Sequence, residues 1–158
     1  MQRRLVILLS LILGSWNLLG CGAECSSIGC AEAVDFEVPL PPADWSTIRG
    51  LRVRVCRNTT CASGTCASLP ATPEDGVGYG VRLTGWPKNE VIDTFVYPPG
   101  TLAIRLQEGP FKNGDRYTVT VTDATGATVT AFDKTATYTR YEVGADSCGL
   151  VCTRAVFE

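Results

Sequence analysis

The chain contains no histidine, and that one absence removes several chemistries together. A Ser-His-Asp triad, a Cys-His nucleophile pair and an imidazole metal site are all excluded. No two cysteines stand as Cys-x-x-Cys, the spacing a zinc or iron–sulfur site would want. No apolar run reaches the ~20 residues that cross a bilayer as a helix, and no stretch holds a helical period over ten residues. Basic residues are in no excess either: 14 Lys and Arg face 16 Asp and Glu, a formal charge of −2. Nucleic acid is therefore not an expected partner. At 158 residues the chain has room for one domain and hardly two.

What is present begins with an address. Arg3 and Arg4 precede an apolar stretch, Leu5 to Leu13, that Gly14, Ser15 and Asn17 soon interrupt. This has the length of a signal-peptide core. It ends in Leu18-Leu19-Gly20-Cys21, which resembles a bacterial lipoprotein lipobox. In that family the cysteine thiol takes a diacylglyceryl group, a peptidase cuts just before it, and the freed amine commonly receives an acyl chain such as palmitate. The resemblance implies cleavage between Gly20 and Cys21 and lipidation at Cys21. Two or three acyl chains hold a protein stably on a membrane where one holds it only reversibly. Gly22 follows Cys21, and the lack of aspartate there favours the outer over the inner membrane. The expected organisation is a signal peptide over 1–20, a lipidated tether over 21–32 and one β-domain over 33–158. Removing Arg3 and Arg4 with the leader leaves 12 basic against 16 acidic residues, a formal charge of −4.

The rest reads as short strands. Val34, Phe36, Val38 and Leu40 alternate with charged or polar neighbours, as do Leu51, Val53 and Val55 with Arg52 and Arg54. The same period recurs over Val77–Leu83, Leu102–Leu106 and Tyr117–Thr122, the last with a threonine face. Val91–Tyr97, a long run from Ala127 to Tyr138, and Leu150–Phe157 bring the count to eight or nine. Turn signals separate them, among them Pro98-Pro99-Gly100, Lys112-Asn113-Gly114-Asp115 and Asp123-Ala124-Thr125-Gly126. The last joins two threonine- and valine-rich runs and predicts a hairpin. Ala43–Ile48 has the makings of one helical turn. The expected fold is all-β, an antiparallel β-sandwich, with a closed barrel as the alternative.

Beyond Cys21 there are seven cysteines: Cys25 and Cys30 before the first strand, Cys56, Cys61 and Cys66 around a hairpin, and Cys148 and Cys152 before the last strand. A secreted protein oxidises its thiols, so disulfides are expected rather than metal. First and last strands of a sandwich often lie close, which predicts bridges from Cys25/Cys30 to Cys148/Cys152. A local bridge among Cys56, Cys61 and Cys66 would fix the Arg57–Thr60 loop. Seven is odd, so one thiol is left over or pairs between molecules; with Cys21 unlipidated all eight could pair. The whole pattern resembles small bacterial surface lipoproteins with an immunoglobulin-like domain. The likeness rests on the paired cysteines behind the lipobox, the Val55-Cys56 strand end, the Tyr117–Asp123 strand with its Gly126 turn, and Cys148 with Cys152. It implies fold and location, a disulfide-stapled immunoglobulin-like sandwich, and no functional residue.

Candidate sites are few. Arg49, Arg52, Arg54 and Arg57 form the only charge cluster, and Arg52 and Arg54 share one strand face. They offer a basic stripe to phospholipid head groups, lipopolysaccharide or acidic glycan, or simply guard a sheet edge. Trp45, Trp86 and Tyr97 sit beside prolines in apparent loops, where aromatics either stack on sugars or fold back over the core. Asp115, Asp123 and Asp133 sit singly, which argues against calcium, and nothing singles out a carboxylate pair for glycosidase chemistry. Asn58-Thr59-Thr60 matches a glycosylation acceptor of little meaning behind a lipobox. The expectation is a non-enzymatic binding or structural module on the bacterial envelope, without cofactor or metal, its partner a protein or glycan. An envelope enzyme or accessory subunit acting on glycans is the alternative.

Overall fold

In a computed structural model, residues 33–107, 109–142 and 151–158 are described. Nine strands form one mixed sheet curled into a half-barrel. They are β1 (Ala33–Pro39), β2 (Arg52–Arg57), β3 (Thr60–Thr65), β4 (Tyr79–Gly80), β5 (Val91–Tyr97), β6 (Thr101–Gln107), β7 (Asp115–Thr122), β8 (Thr128–Glu142) and β9 (Val151–Phe157). The order across the sheet is β3-β2-β7-β8-β9-β1-β6-β5-β4. One short helix, α1 (Trp45–Arg49), follows β1, with the Asp44 carboxylate accepting from the Thr47 amide at 2.7 Å as its N-cap.

The period-2 pattern puts Val34, Val38, Val53, Val55, Leu102, Ile104, Leu106, Val119 and Val121 inside, each fully buried. Every such side chain contributes roughly 1.5–3 kcal/mol by leaving water. Turn chemistry fixes the register. The Asp123 carboxylate accepts from the Thr125 and Ala127 amides, and Gly126 takes φ +90° to close the β7–β8 hairpin. At the two-residue β2–β3 loop Asn58 adopts φ +53°, and its amide side chain bonds both the Asp115 carboxylate and the Arg116 amide. Asn58 thus ties the hairpin tip to β7.

The all-β expectation holds; two finer points are corrected, strand direction and the extent of the Val77–Leu83 strand, and the strands join in a continuous ladder. The sheet is not purely antiparallel, because β1 and β9 pair in parallel at Ala33 and Arg154. It is one hydrogen-bonded ladder, because β8 is long enough to serve two partners: Thr128 to Ala136 pair with β7, and Ala136 to Glu142 pair with β9. Val77–Leu83 is not one strand. Only Tyr79–Gly80 pairs with β5, after which the chain crosses over and Thr84 pairs with Ser63 of β3. Both ends of the ladder are thereby tied through the segment 79–84.

The Cys56–Cys61 disulfide links facing residues of β2 and β3, so the local bridge forms and Cys66 is its unused neighbour. Cys66 is free and buried, and burial pushes its thiol up to about 11. Burial of this kind lowers the reactivity of a thiol. Cys21, Cys25, Cys30 and Cys148, and with them lipidation and the end-to-end bridges, lie outside the described residues, as do the Cys152 side chain's contacts.

Candidate functional site

Strand alternation turns Arg52 and Arg54 outward from β2 while Val53 and Val55 face the core. The ladder then decides what surrounds them. Arg52 stands between Thr65 of β3 and Thr122 of β7, and Arg54 between Ser63 and Thr120. The crossover at 79–84 brings Arg82 and Thr84 alongside β3 from its far side. The result is a groove of about 740 Å³ lined by Arg52, Arg54 and Arg82 and by Ser63, Thr65, Ser68, Thr84, Thr120 and Thr122. That volume falls within the roughly 300–1,000 Å³ of small-ligand sites.

Gly64 makes the close approach possible. A Cβ there would lie 2.2 Å from the Arg82 carbonyl oxygen and 2.8 Å from the Leu83 side chain, so no other residue lets Arg82 sit this near β3.

The groove's charge is uncompensated. Two other outward arginines meet an acid: Arg105 bonds Asp35 on the neighbouring strand at 2.7 Å, and Arg116 bonds Asp133; Arg140 and Arg154, exposed on β8 and β9, have no such partner among the described residues. Each pairing raises its arginine's affinity for the proton through the hydrogen bond to the carboxylate. Arg52, Arg54 and Arg82 have no ion-pair partner among the described residues, and no carboxylate lines the groove. Arg52 and Arg54 stand two residues apart on one strand face, ~7 Å in strand rise, where like charges repel.

The other candidates go elsewhere. Arg57 continues the inward series Val53-Val55 and lies buried at the sheet end, bonded to Glu90 at 2.7 Å. Trp86 is not a free stacking platform: its ring faces the Arg57 guanidinium at 5.9 Å, with Phe111 at 5.7 Å. Trp45 folds back, donating from Nε1 to the Pro70 carbonyl and packing on Tyr79. Tyr97 is 37% exposed on the β5 face beside Phe95. It lines a separate depression of about 430 Å³ with Asp35, Glu37, Asp93 and Arg105. Of Arg52, Arg54, Trp86 and Tyr97, only the two arginines share a site. Asp115 is spent on Asn58 and the Lys112 amide, Asp123 on its turn, and Asp133 on Arg116.

The groove lies toward the end of the sheet opposite the start of the domain. Ala33 pairs with Gln107 and Gln107 with Val91, whose neighbour Glu90 holds Arg57 at the end of β2. Arg52 begins β2 and so lies at the opposite end.

Sequence pattern alone missed Arg82 and the hydroxyls on β3. Their approach depends on a change of strand partner between Gly80 and Thr84, which leaves no local mark. The small residue at Gly64 is its one trace. Compared with protein-family models, curated proteins and solved structures, the chain matches none.

Proposed function

We propose that the protein is a bacterial envelope lipoprotein, anchored through Cys21 and placed at the outer rather than the inner membrane. Its β-domain is a non-enzymatic binding module of immunoglobulin-like type. The observation that carries the binding role is the groove: three arginines without an ion-pair partner among the described residues and six serine and threonine residues line it, and no carboxylate there supplies an acid or a base. Glycosidase chemistry needs two carboxyl groups across a cleft. Asp35 and Asp93 lie in the other depression on either side of Arg105, one bonded to it and the other to Gln107.

Strand order supports the immunoglobulin-like reading. β1-β6-β5 and β3-β2-β7-β8 follow the two-layer order of such sandwiches, with β9 joining the layers. Phe36 of β1 packs against Tyr117, Phe132 and Phe157 across the interior.

Cysteine parity supports the anchor. Of eight cysteines, Cys56 and Cys61 pair and Cys66 is free. That leaves Cys21, Cys25, Cys30, Cys148 and Cys152, an odd set. Lipidation removes Cys21 and leaves four that can form two bridges. The parallel neighbours Ala33 and Arg154 bring the chain just after Cys30 beside the chain just after Cys152, as an end-to-end clamp requires.

The test is fractionation of the bacterium that makes the protein. Wild type is expected in the membrane pellet, released by detergent but not by salt. Cys21→Ala is expected in the soluble fraction. A Cys21→Ala chain that stays with the membranes as fully as wild type would sink the anchor.

A further inference from the structure

We infer that the groove between β2, β3, β7 and the 79–84 segment binds an acidic polysaccharide. The ligand is a chain of sugars bearing carboxylate or phosphate groups. This deepens the binding role proposed above and rests on it. Guanidinium groups are planar forks that accept carboxylate or phosphate with two parallel hydrogen bonds. Arg52, Arg54 and Arg82 reach the groove from two directions, Arg52 and Arg54 from β2 and Arg82 from beyond β3. A ligand lying between them meets positive charge on both walls. A serine or threonine hydroxyl can both donate and accept; of the six such residues lining the groove, Thr84 already donates to the Ser63 carbonyl, and the others suit the hydroxyls of a sugar better than the tails or esters of a lipid.

Charge distribution sharpens the choice. The described residues carry 12 basic and 12 acidic side chains; with three of the arginines in the groove, the remainder is 9 basic against 12 acidic, so a polyanion is drawn to this face rather than to the rest. The acidic depression on the β5–β6–β1 face, with Asp35, Glu37 and Asp93, is where a nonspecific polyanion would be refused. The groove also sits at the end of β2 remote from Ala33, the residue that follows the tether. An anchored domain thus offers it away from its own membrane, toward a soluble or wall-bound glycan rather than the head groups beneath.

The test uses the full Cys21→Ala chain, so that no acyl anchor carries it onto a vesicle. Binding is measured at low and moderate salt to polygalacturonate, to phosphorylated dextran, to neutral dextran, and to vesicles of phosphatidylglycerol and phosphatidylcholine in equal parts. Expected is saturable binding to at least one acidic polymer, weakened by salt, with no binding to neutral dextran. Arg52→Ala, Arg54→Ala and Arg82→Ala should each weaken it about tenfold, the value of one charge-assisted hydrogen bond, with unchanged thermal unfolding. Binding that survives the triple variant would overturn the inference. So would equal binding to neutral dextran, binding to the vesicles alone, or binding to none of the probes. Fractionation of the lipidated wild type reads the anchor separately, so failure of the groove and failure of the anchor are told apart.

Discussion

Replacing Tyr117 by alanine is expected to remove about 3–5 kcal/mol of stability, the range for a large ring lost from a packed core. Tyr117 is fully buried on β7. Its ring packs against Phe36 of β1 at 6.0 Å between centroids and edge-on against Phe157 of β9 at 5.7 Å. It thus joins strands far apart in the ladder. Its hydroxyl shares a 2.6 Å hydrogen bond with that of Tyr138 on β8, and burial raises both phenols above their ordinary value, so they stay protonated. At about 4 °C per kcal/mol the melting temperature falls by roughly 12–20 °C. A domain of this size holds only about 5–15 kcal/mol in total. Tyr117→Phe keeps the ring and loses one neutral hydrogen bond, costing about 1 kcal/mol. Urea unfolding of the two variants separates ring from hydroxyl. A loss below about 1 kcal/mol in Tyr117→Ala would contradict packing across the interior through this residue.

Arg57→Met is expected to cost about 3–5 kcal/mol, and Arg57→Met with Glu90→Met to recover most of it. The side chains of Arg57 and Glu90 are 8% and 7% exposed and 2.7 Å apart. Taking away the cation strands a carboxylate among Trp86, Phe111 and the sheet end, where neither water nor another charge compensates it. Removing both charges leaves an apolar pair in the same space, which is often neutral for stability. The Arg57 contacts with the Trp86 and Phe111 rings add about 0.5–2 kcal/mol that neither variant restores. Equilibrium unfolding of wild type, the single and the double variant checks this. A double variant no more stable than the single one would show that packing by the arginine, not the stranded charge, sets the cost.

Much of the fold was legible because alternation is a local signal. Val34 to Val38, Val53 and Val55, Leu102 to Leu106 and Tyr117 to Val121 announce inner and outer faces directly, and the structure keeps every one of them inside. The one-turn helix and the Asp123–Gly126 hairpin were equally plain, since Asp44, Asp123 and Gly126 do their work within a few residues. What alternation does not carry is pairing between distant strands. The parallel contact of Ala33 with Arg154, the double partnership of β8 and the crossover after Gly80 are non-local, and for that reason the alternation over Val77–Leu83 looks like one strand. The site divides the same way. Arg52 and Arg54 were legible because they are two apart on one strand. Arg82 was not, because only the crossover delivers it. Trp86 looked like a loop aromatic, but its partner Arg57 lies 29 positions earlier and turns it into packing.

The proposed anchored module, with Cys66 as the free thiol among the described residues, is tested by the intact mass of the protein extracted from membranes in detergent. The chain is denatured, alkylated without reduction, and weighed. A chain that begins at Cys21, carries a diacylglyceryl group and an N-acyl chain, and takes up a single alkyl group, at Cys66, is expected. A chain that begins downstream of Cys21 and carries no lipid would contradict it.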